Sequence, residues 1–443
     1  MVLLLFSLVF YAWGEPVYIF LLVASAAVNY GAGLLMGQTE DDRKRKLWLV
    51  LAVIVNLAAL GVFKYADLLV ETFNDVTNLR VPVPGIALPI GISFFTFQAM
   101  TYVLDVYRRN VQVQRSYPKF LLYISMFPQL IAGPIVRYSD IAAQIDERHT
   151  TGEDIFYGLL RFSTGLAKKI LLADRAFTVA SQLLDGALPS ATVAGTWLGV
   201  LMFSFQIYFD FSGYSDMAIG LGRIFGFRFM ENFKLPYAAS SVTDFWRRWH
   251  ISLSSFFRDY VYIPLGGNRR RRVLNLMITW GLTGLWHGAS WNFLLWGLYF
   301  FVLLVVEKPL LPKLKYIPKI LRQIGTMFLV AVGWAIFYFT DFGRLGQALG
   351  AMFGFAGDGW ISEQVRIMLL NNLPLLLLCF VGSTALPRLV GDAFGLLCAD
   401  KKKDGIKQKI YIAVTYAVCV ALLVLSTISL VGSGFSAFLY YRF

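Results

Sequence analysis

Long stretches of this chain run for sixteen residues or more without an Asp, Glu, Lys or Arg, among them residues 17–36, 47–63, 273–306, 325–340 and 410–432. A helix needs roughly 20 apolar residues to cross about 30 Å of hydrocarbon. No water reaches the backbone there, so only helices and closed barrels span a bilayer. Barrel strands are about ten residues long and alternate in polarity, and these stretches do neither. The chain is 15% charged, against about 25% for a soluble domain. The expected fold is therefore all-α and integral to the lipid bilayer. It has about 10–12 transmembrane or re-entrant helices in one bundle, and residues 1–443 form a single polytopic domain.

A formal net charge of +13 raises the question of nucleic acid, and the distribution answers it. Basic residues gather in short loops between apolar stretches, at 43–46, 269–272 and 401–403, as cytoplasmic loops do. No nucleic-acid partner is expected. The loops also predict orientation. Segments 269–272, 308–319 and 388–409 lie inside, 341–363 lies outside, and the last apolar stretch leaves the C-terminus extracytoplasmic. The three cysteines have no metal-ligand spacing and read as packing residues. Residues 1–13 lack the basic start of a cleavable signal and read as a shortened first span closed by Gly14-Glu15-Pro16.

The stretch 273–306 has cytoplasmic flanks on both sides, so it enters and returns as a hairpin. Gly281, Gly284 and Gly288 allow close packing or a bend near its middle. His287, its fifteenth residue, falls about 20 Å from the cytoplasmic end at ~1.5 Å per residue. His250 also has aromatic, apolar neighbours, whereas His149 sits in a polar loop. An ionisable group inside a membrane is a functional hypothesis by default. A neutral imidazole suits general base catalysis, for example on an alcohol attacking a thioester. The bland alternative is a core histidine bonded to a backbone carbonyl. Neither a Gly-x-Ser-x-Gly elbow nor a His-Glu-x-x-His helix is present, so a serine triad and a metal site have no support.

Trp246, Trp249, Leu253, Phe256, Phe257 and Tyr260 recur at helical spacing, which predicts one amphipathic interfacial helix through His250. Arg247, Arg248, Arg269 and Arg270 either snorkel or hold the phosphates of an acyl donor. Asp210 and Asp216 are intramembrane acids, read either as structural ion pairs or as active-site support.

Several motifs carry a family resemblance. They are the segment 209–222, the run 232–268 with its Phe245-Trp246-Arg247-Arg248-Trp249-His250-Ile251-Ser252-Leu253-Ser254 and Tyr262-Ile263-Pro264-Leu265-Gly266-Gly267, and Gly284-Leu285-Trp286-His287-Gly288-Ala289. Together with 10–16 and 91–98, they resemble the membrane-bound O-acyltransferase (MBOAT) family, in particular its bacterial alginate O-acetylase branch. The resemblance implies that His287 is the catalytic histidine and His250 a second active-site histidine. It also implies a funnel or tunnel serving a cytoplasmic acyl donor such as acetyl-CoA, with no bound cofactor. Branch members commonly begin with a further hydrophobic segment before the one ending here at Trp13. The terminal Phe438-Leu439-Tyr440-Tyr441-Arg442-Phe443 resembles an aromatic motif in which a tyrosine carries the acyl group, which makes Tyr440 a candidate relay. The asparagine-proline pair that often precedes that motif is here Ser436-Ala437.

The leading expectation is acetyl transfer to an extracytoplasmic polysaccharide such as alginate, from the inner or plasma membrane, completed by an extracytoplasmic acyltransferase partner. Peptidoglycan O-acylation and D-alanyl transfer are variants of the same class. A transporter or channel and a non-catalytic export scaffold are the readings from other classes.

Overall fold

The computed structural model describes residues 1–186, 191–387, 389–391 and 405–433, and these are helical or irregular throughout. Tyr440, the basic run 401–403 and Cys398 lie outside the described residues. The first half contains α1 (Val2–Gly14), α2 (Ile19–Gly37), α3 (Asp42–Leu60), α4 (Ala66–Thr77), α5 (Ile92–Tyr107), α6 (Tyr117–Ser125), α7 (Phe127–Leu130), α8 (Tyr138–Asp146), α9 (Gly152–Ala167) and α10 (Asp174–Leu184). The 32-residue α11 (Val193–Ile224) follows, with the short α12 (Val242–Trp246) and α13 (Ile251–Phe257) after it. The chain continues through α14 (Arg272–His287), α15 (Trp291–Leu314), α16 (Lys319–Tyr338), α17 (Phe342–Met352), α18 (Glu363–Asn371), α19 (Leu373–Gly382) and α20 (Gly405–Ser433).

Among the described residues, five helices are long and apolar enough to cross a membrane, or six if the bent pair α18–α19 is one span. Others, such as α5 and α11, are shorter or more polar and are largely enclosed. An interior helix can carry polar groups because protein, not lipid, surrounds it. This is a multi-pass membrane protein.

Two close helix contacts organise the interior. On α9 and α11, Gly158 faces the carbonyl of Gly220, and Gly165 faces that of Gly213, with no room for a Cβ at any of the four. Such small-residue contacts let membrane helices meet backbone to backbone. The predicted hairpin forms as α14 and α15, turning at residues 288–290. There Gly284 packs on the carbonyl of Phe293, and Gly297 on that of Trp280. Gly281, by contrast, meets only a leucine methyl at 3.8 Å, so it is not part of the close contact.

Apolar burial divides into two clusters. One joins α1–α3 and α5–α8 with α13 and Trp286. The other joins α10–α12 with α14–α17 and includes Trp246, Trp249, Trp280 and Trp296. The seam between them passes through His250, since Trp249 belongs to one cluster and Leu253 to the other. It also passes through the end of α14.

Candidate active site

The single amphipathic helix expected through residues 246–260 is not formed. It breaks at His250, whose φ of 43° and ψ of 56° place it in the left-handed region, where non-glycine residues are uncommon and often functional. Asn232 explains the break. Its backbone carbonyl accepts from Ile251 N at 3.0 Å. Its Oδ1 accepts from Ser252 N at 3.2 Å and from Ser252 Oγ at 2.9 Å. Two first-turn amides of α13 are thus held from outside. On the other side, Glu307 of α15 accepts from Val242 N and from Thr243 N, fixing the start of α12. The two short helices are pinned separately, and His250 is the joint.

The same asparagine sets the imidazole's tautomer. A backbone N–H only donates, so the atom facing Ser252 N is Oδ1. His250 Nδ1 lies 3.2 Å from that oxygen, so Nδ1 carries the proton and Nε2 is the basic nitrogen. Asn232 Nδ2 donates to Ser215 Oγ of α11 at 3.1 Å, which ties the joint to that 32-residue helix.

His287 is the last residue of α14, roughly 22 Å along the helix from Arg272. It is 3% exposed and stands edge-on to Trp296 and Phe337, at ring separations of 4.9 and 5.4 Å. Trp286 lies between the two histidines, 5.7 Å from His250 and 5.0 Å from His287, and is backed by Phe94 and Phe97 of α5. The structure therefore brings His250 and His287 into one aromatic enclosure. His149 is remote in character, exposed in its loop beside Glu147.

The intramembrane acids are ion-paired. Asp210 accepts from Lys169 Nζ at 2.8 Å. Asp216 accepts from Lys168 Nζ at 2.6 Å and from Arg161 Nε at 2.8 Å. Residues 168–173 form a π-helical turn, and the glycine contacts between α9 and α11 bring these lysines against the acids.

Asp216 also lines a cavity of about 970 Å³, whose basic residues are Arg161, Lys168, Arg223, Arg228, Lys234 and Arg248, against the acids Asp216 and Glu231. Asn232, the partner of His250, is in its wall. Of the four arginines singled out in the sequence, only Arg248 lines it. Arg247, Arg269 and Arg270 are exposed elsewhere. A second cavity, about 340 Å³, adjoins the far end of α14. Lys64, Asp67, Glu71, Gly288 and Ser290 are in its wall. Asn232 and Lys64 escaped the sequence reading. Lys64 sits at the edge of an apolar stretch that had been read as leaving the membrane at Phe63. The helix in fact runs on without a break from Asp42 to Thr77, and Lys64 is buried within it.

Residues 95–345 match MBOAT, the membrane-bound O-acyltransferase family. The chain belongs to this family. A probable alginate O-acetylase of Pseudomonas syringae pv. tomato is 43% identical over 378 residues, covering 83% of this chain and 72% of that protein. One from Pseudomonas putida is 39% identical, covering 100% of this chain and 94% of its own. The peptidoglycan O-acetyltransferase of Helicobacter pylori is 36% identical, covering 80% and 74%. The MBOAT chain described here is accordingly an O-acyltransferase, and the transporter and scaffold readings fall away.

Proposed function

We propose that this MBOAT protein takes an acetyl group from acetyl-CoA at the cytoplasmic face and delivers it for O-acetylation of an extracytoplasmic polysaccharide such as alginate. One observation carries the reading: each histidine has a direct neighbour in the wall of a different cavity. The large basic cavity reaches Asn232 beside His250, and its cations suit the phosphates of a coenzyme A thioester. The smaller cavity reaches Gly288 beside His287 and receives the acceptor. In this scheme His287 removes the acceptor's hydroxyl proton as the oxygen attacks the thioester carbonyl. The tetrahedral intermediate then expels the thiolate, which takes up that proton, so the ester forms as the carbon–sulfur bond breaks. His250, with Nδ1 anchored on Asn232, presents Nε2 towards the same aromatic enclosure. A second extracytoplasmic acyltransferase completes delivery to the polymer.

Support for the polymer comes from the alginate O-acetylase names of the relatives. The Helicobacter pylori relative makes peptidoglycan the alternative acceptor. The test is His287→Ala, expressed in cells lacking the native gene. Polymer acetylation should fall by roughly 10²- to 10⁴-fold, the span of general-base effects, with normal insertion of the protein. Wild-type acetylation by this variant would sink the catalytic assignment. Measuring acetyl on alginate and on peptidoglycan in the same cells identifies the acceptor.

A further inference from the structure

The end of α14 is closed in an unusual way. After His287 the chain passes to Gly288 in an extended conformation, with φ −175° and ψ 158°. No left-handed residue folds the chain back onto the last carbonyls, as a Schellman or αL cap would. Those carbonyls still need donors, because the final turn of a helix has none of its own. They are supplied from another part of the bundle. Lys64 Nζ donates to the carbonyl of Trp286, and Tyr65 Oη to that of Leu285.

Both donors come from a π-helical turn, Gly61–Tyr65, set between α3 and α4. Such single wide turns concentrate at functional sites. Lys64 is 7% exposed, although an amino group inside a membrane is costly and rarely without purpose. Its Nζ is 5.9 Å from the Trp286 ring centroid, and it shares a cavity wall with Gly288.

We infer that Lys64 is a positioning residue for His287: its amino group holds the last turn of α14 and so fixes the imidazole between Trp296 and Phe337. The inference rests on the proposed role of His287. Lys64 acts through the backbone carbonyl of Trp286, and Tyr65 reinforces it one residue earlier. Without the pair, the terminal turn frays and the imidazole leaves its place. A misplacement of about 1 Å in a catalytic group costs on the order of 10²-fold in rate.

The experiment is acetyl-CoA turnover by the full chain in lipid nanodiscs, expressed per folded molecule after size exclusion. For Lys64→Met, kcat should fall about 10- to 100-fold, with KM for acetyl-CoA within about two-fold of wild type. Lys64→Arg, which still reaches the carbonyl with a donor, should recover most of the loss. In a His287→Ala background, Lys64→Met should change the residual turnover no further, as expected of two residues acting as one unit. Wild-type kcat in Lys64→Met would overturn the inference, as would an undiminished multiplicative loss in the double variant. Should Lys64→Met fail to fold, Tyr65→Phe removes only the neighbouring bond and should lower kcat several-fold. An unchanged kcat there also overturns it. Full turnover by His287→Ala is a different result, because it removes the reading on which the inference rests.

Discussion

The α9–α11 contact and the α13–α14 contact both bury ionisable side chains, and they do so by opposite means. Asp210 and His250 are each 1% exposed. Around Asp210 the partner is a cation at 2.8 Å, itself shared with Asp174 at 2.7 Å, across helices locked together by glycine pairs. Around His250 the anchoring partner is the neutral amide of Asn232, and the walls are aromatic, with Phe211 at 4.6 Å and Trp286 at 5.7 Å. A buried carboxylate already paired with a cation has little left to offer as a base. A neutral base held by one nitrogen, on strained backbone beside a cavity, is arranged to accept a proton. Under the proposed function, equal burial serves structure in one place and chemistry in the other.

The contrast is sharpest if stability and turnover are measured on the same variants. Asp210→Asn leaves Lys169 buried with one acid fewer, and breaking a buried pair costs about 3–5 kcal/mol. Folded yield and thermal stability in detergent should drop strongly, while turnover per folded molecule stays within about two-fold of wild type. Adding Lys169→Met should restore part of the yield, since removing both charges of a buried pair is far milder than removing one. A selective loss of turnover would instead place Asp210 among the active-site residues.

For His250 the expected result is reversed. Asn is the better replacement than Ala because it tolerates left-handed backbone, which keeps the α12–α13 joint. His250→Asn should retain folded yield and lose about 10²-fold in turnover. Loss of yield with normal turnover per folded molecule would make His250 a structural joint only.

What the sequence made legible follows from what each signal depends on. Uncharged stretches and basic loops are local, so the membrane fold and the α14–α15 hairpin were readable from them. His250 and His287 stood out because histidine is scarce and apolar neighbours make it conspicuous. The break at His250 was hidden, since Trp246, Trp249, Leu253 and Phe256 keep helical spacing across it and the cause, Asn232, lies eighteen residues upstream. Lys64 resembled a boundary residue because a single cation at the end of an apolar stretch looks the same whether the helix stops or continues. Asp210 and Asp216 were visible as acids, but their partners are 41 and 48 residues away. Only the packing of α9 on α11 brings those partners to them.

The basic cavity carries the same lesson to the donor, and with the smallest expected effect. Sequence pattern offered Arg247, Arg248, Arg269 and Arg270 either as snorkelling residues or as phosphate contacts at the cytoplasmic face. The cavity instead collects cations from distant segments, and most of these are engaged by acids. Arg161 pairs with Asp216 and Glu231, Arg223 and Arg228 with Asp154, and Arg248 with Asp244. Lys234 has an exposed side chain at the cavity wall and a backbone tied to Arg248 by Lys234 N donating to the Arg248 carbonyl at 3.0 Å. An exposed charge contact is worth about 0.2–1 kcal/mol, so Lys234→Gln should raise KM for acetyl-CoA by roughly 1.4- to 5-fold with kcat unchanged. Salt should erase the difference, because exposed charges are screened over about 3 Å at 1 M ionic strength. Arg270→Gln, outside the cavity, is the control and should leave KM untouched at any salt concentration. If Arg270→Gln raises KM and Lys234→Gln does not, the donor binds at the 269–272 loop and the large cavity has another occupant.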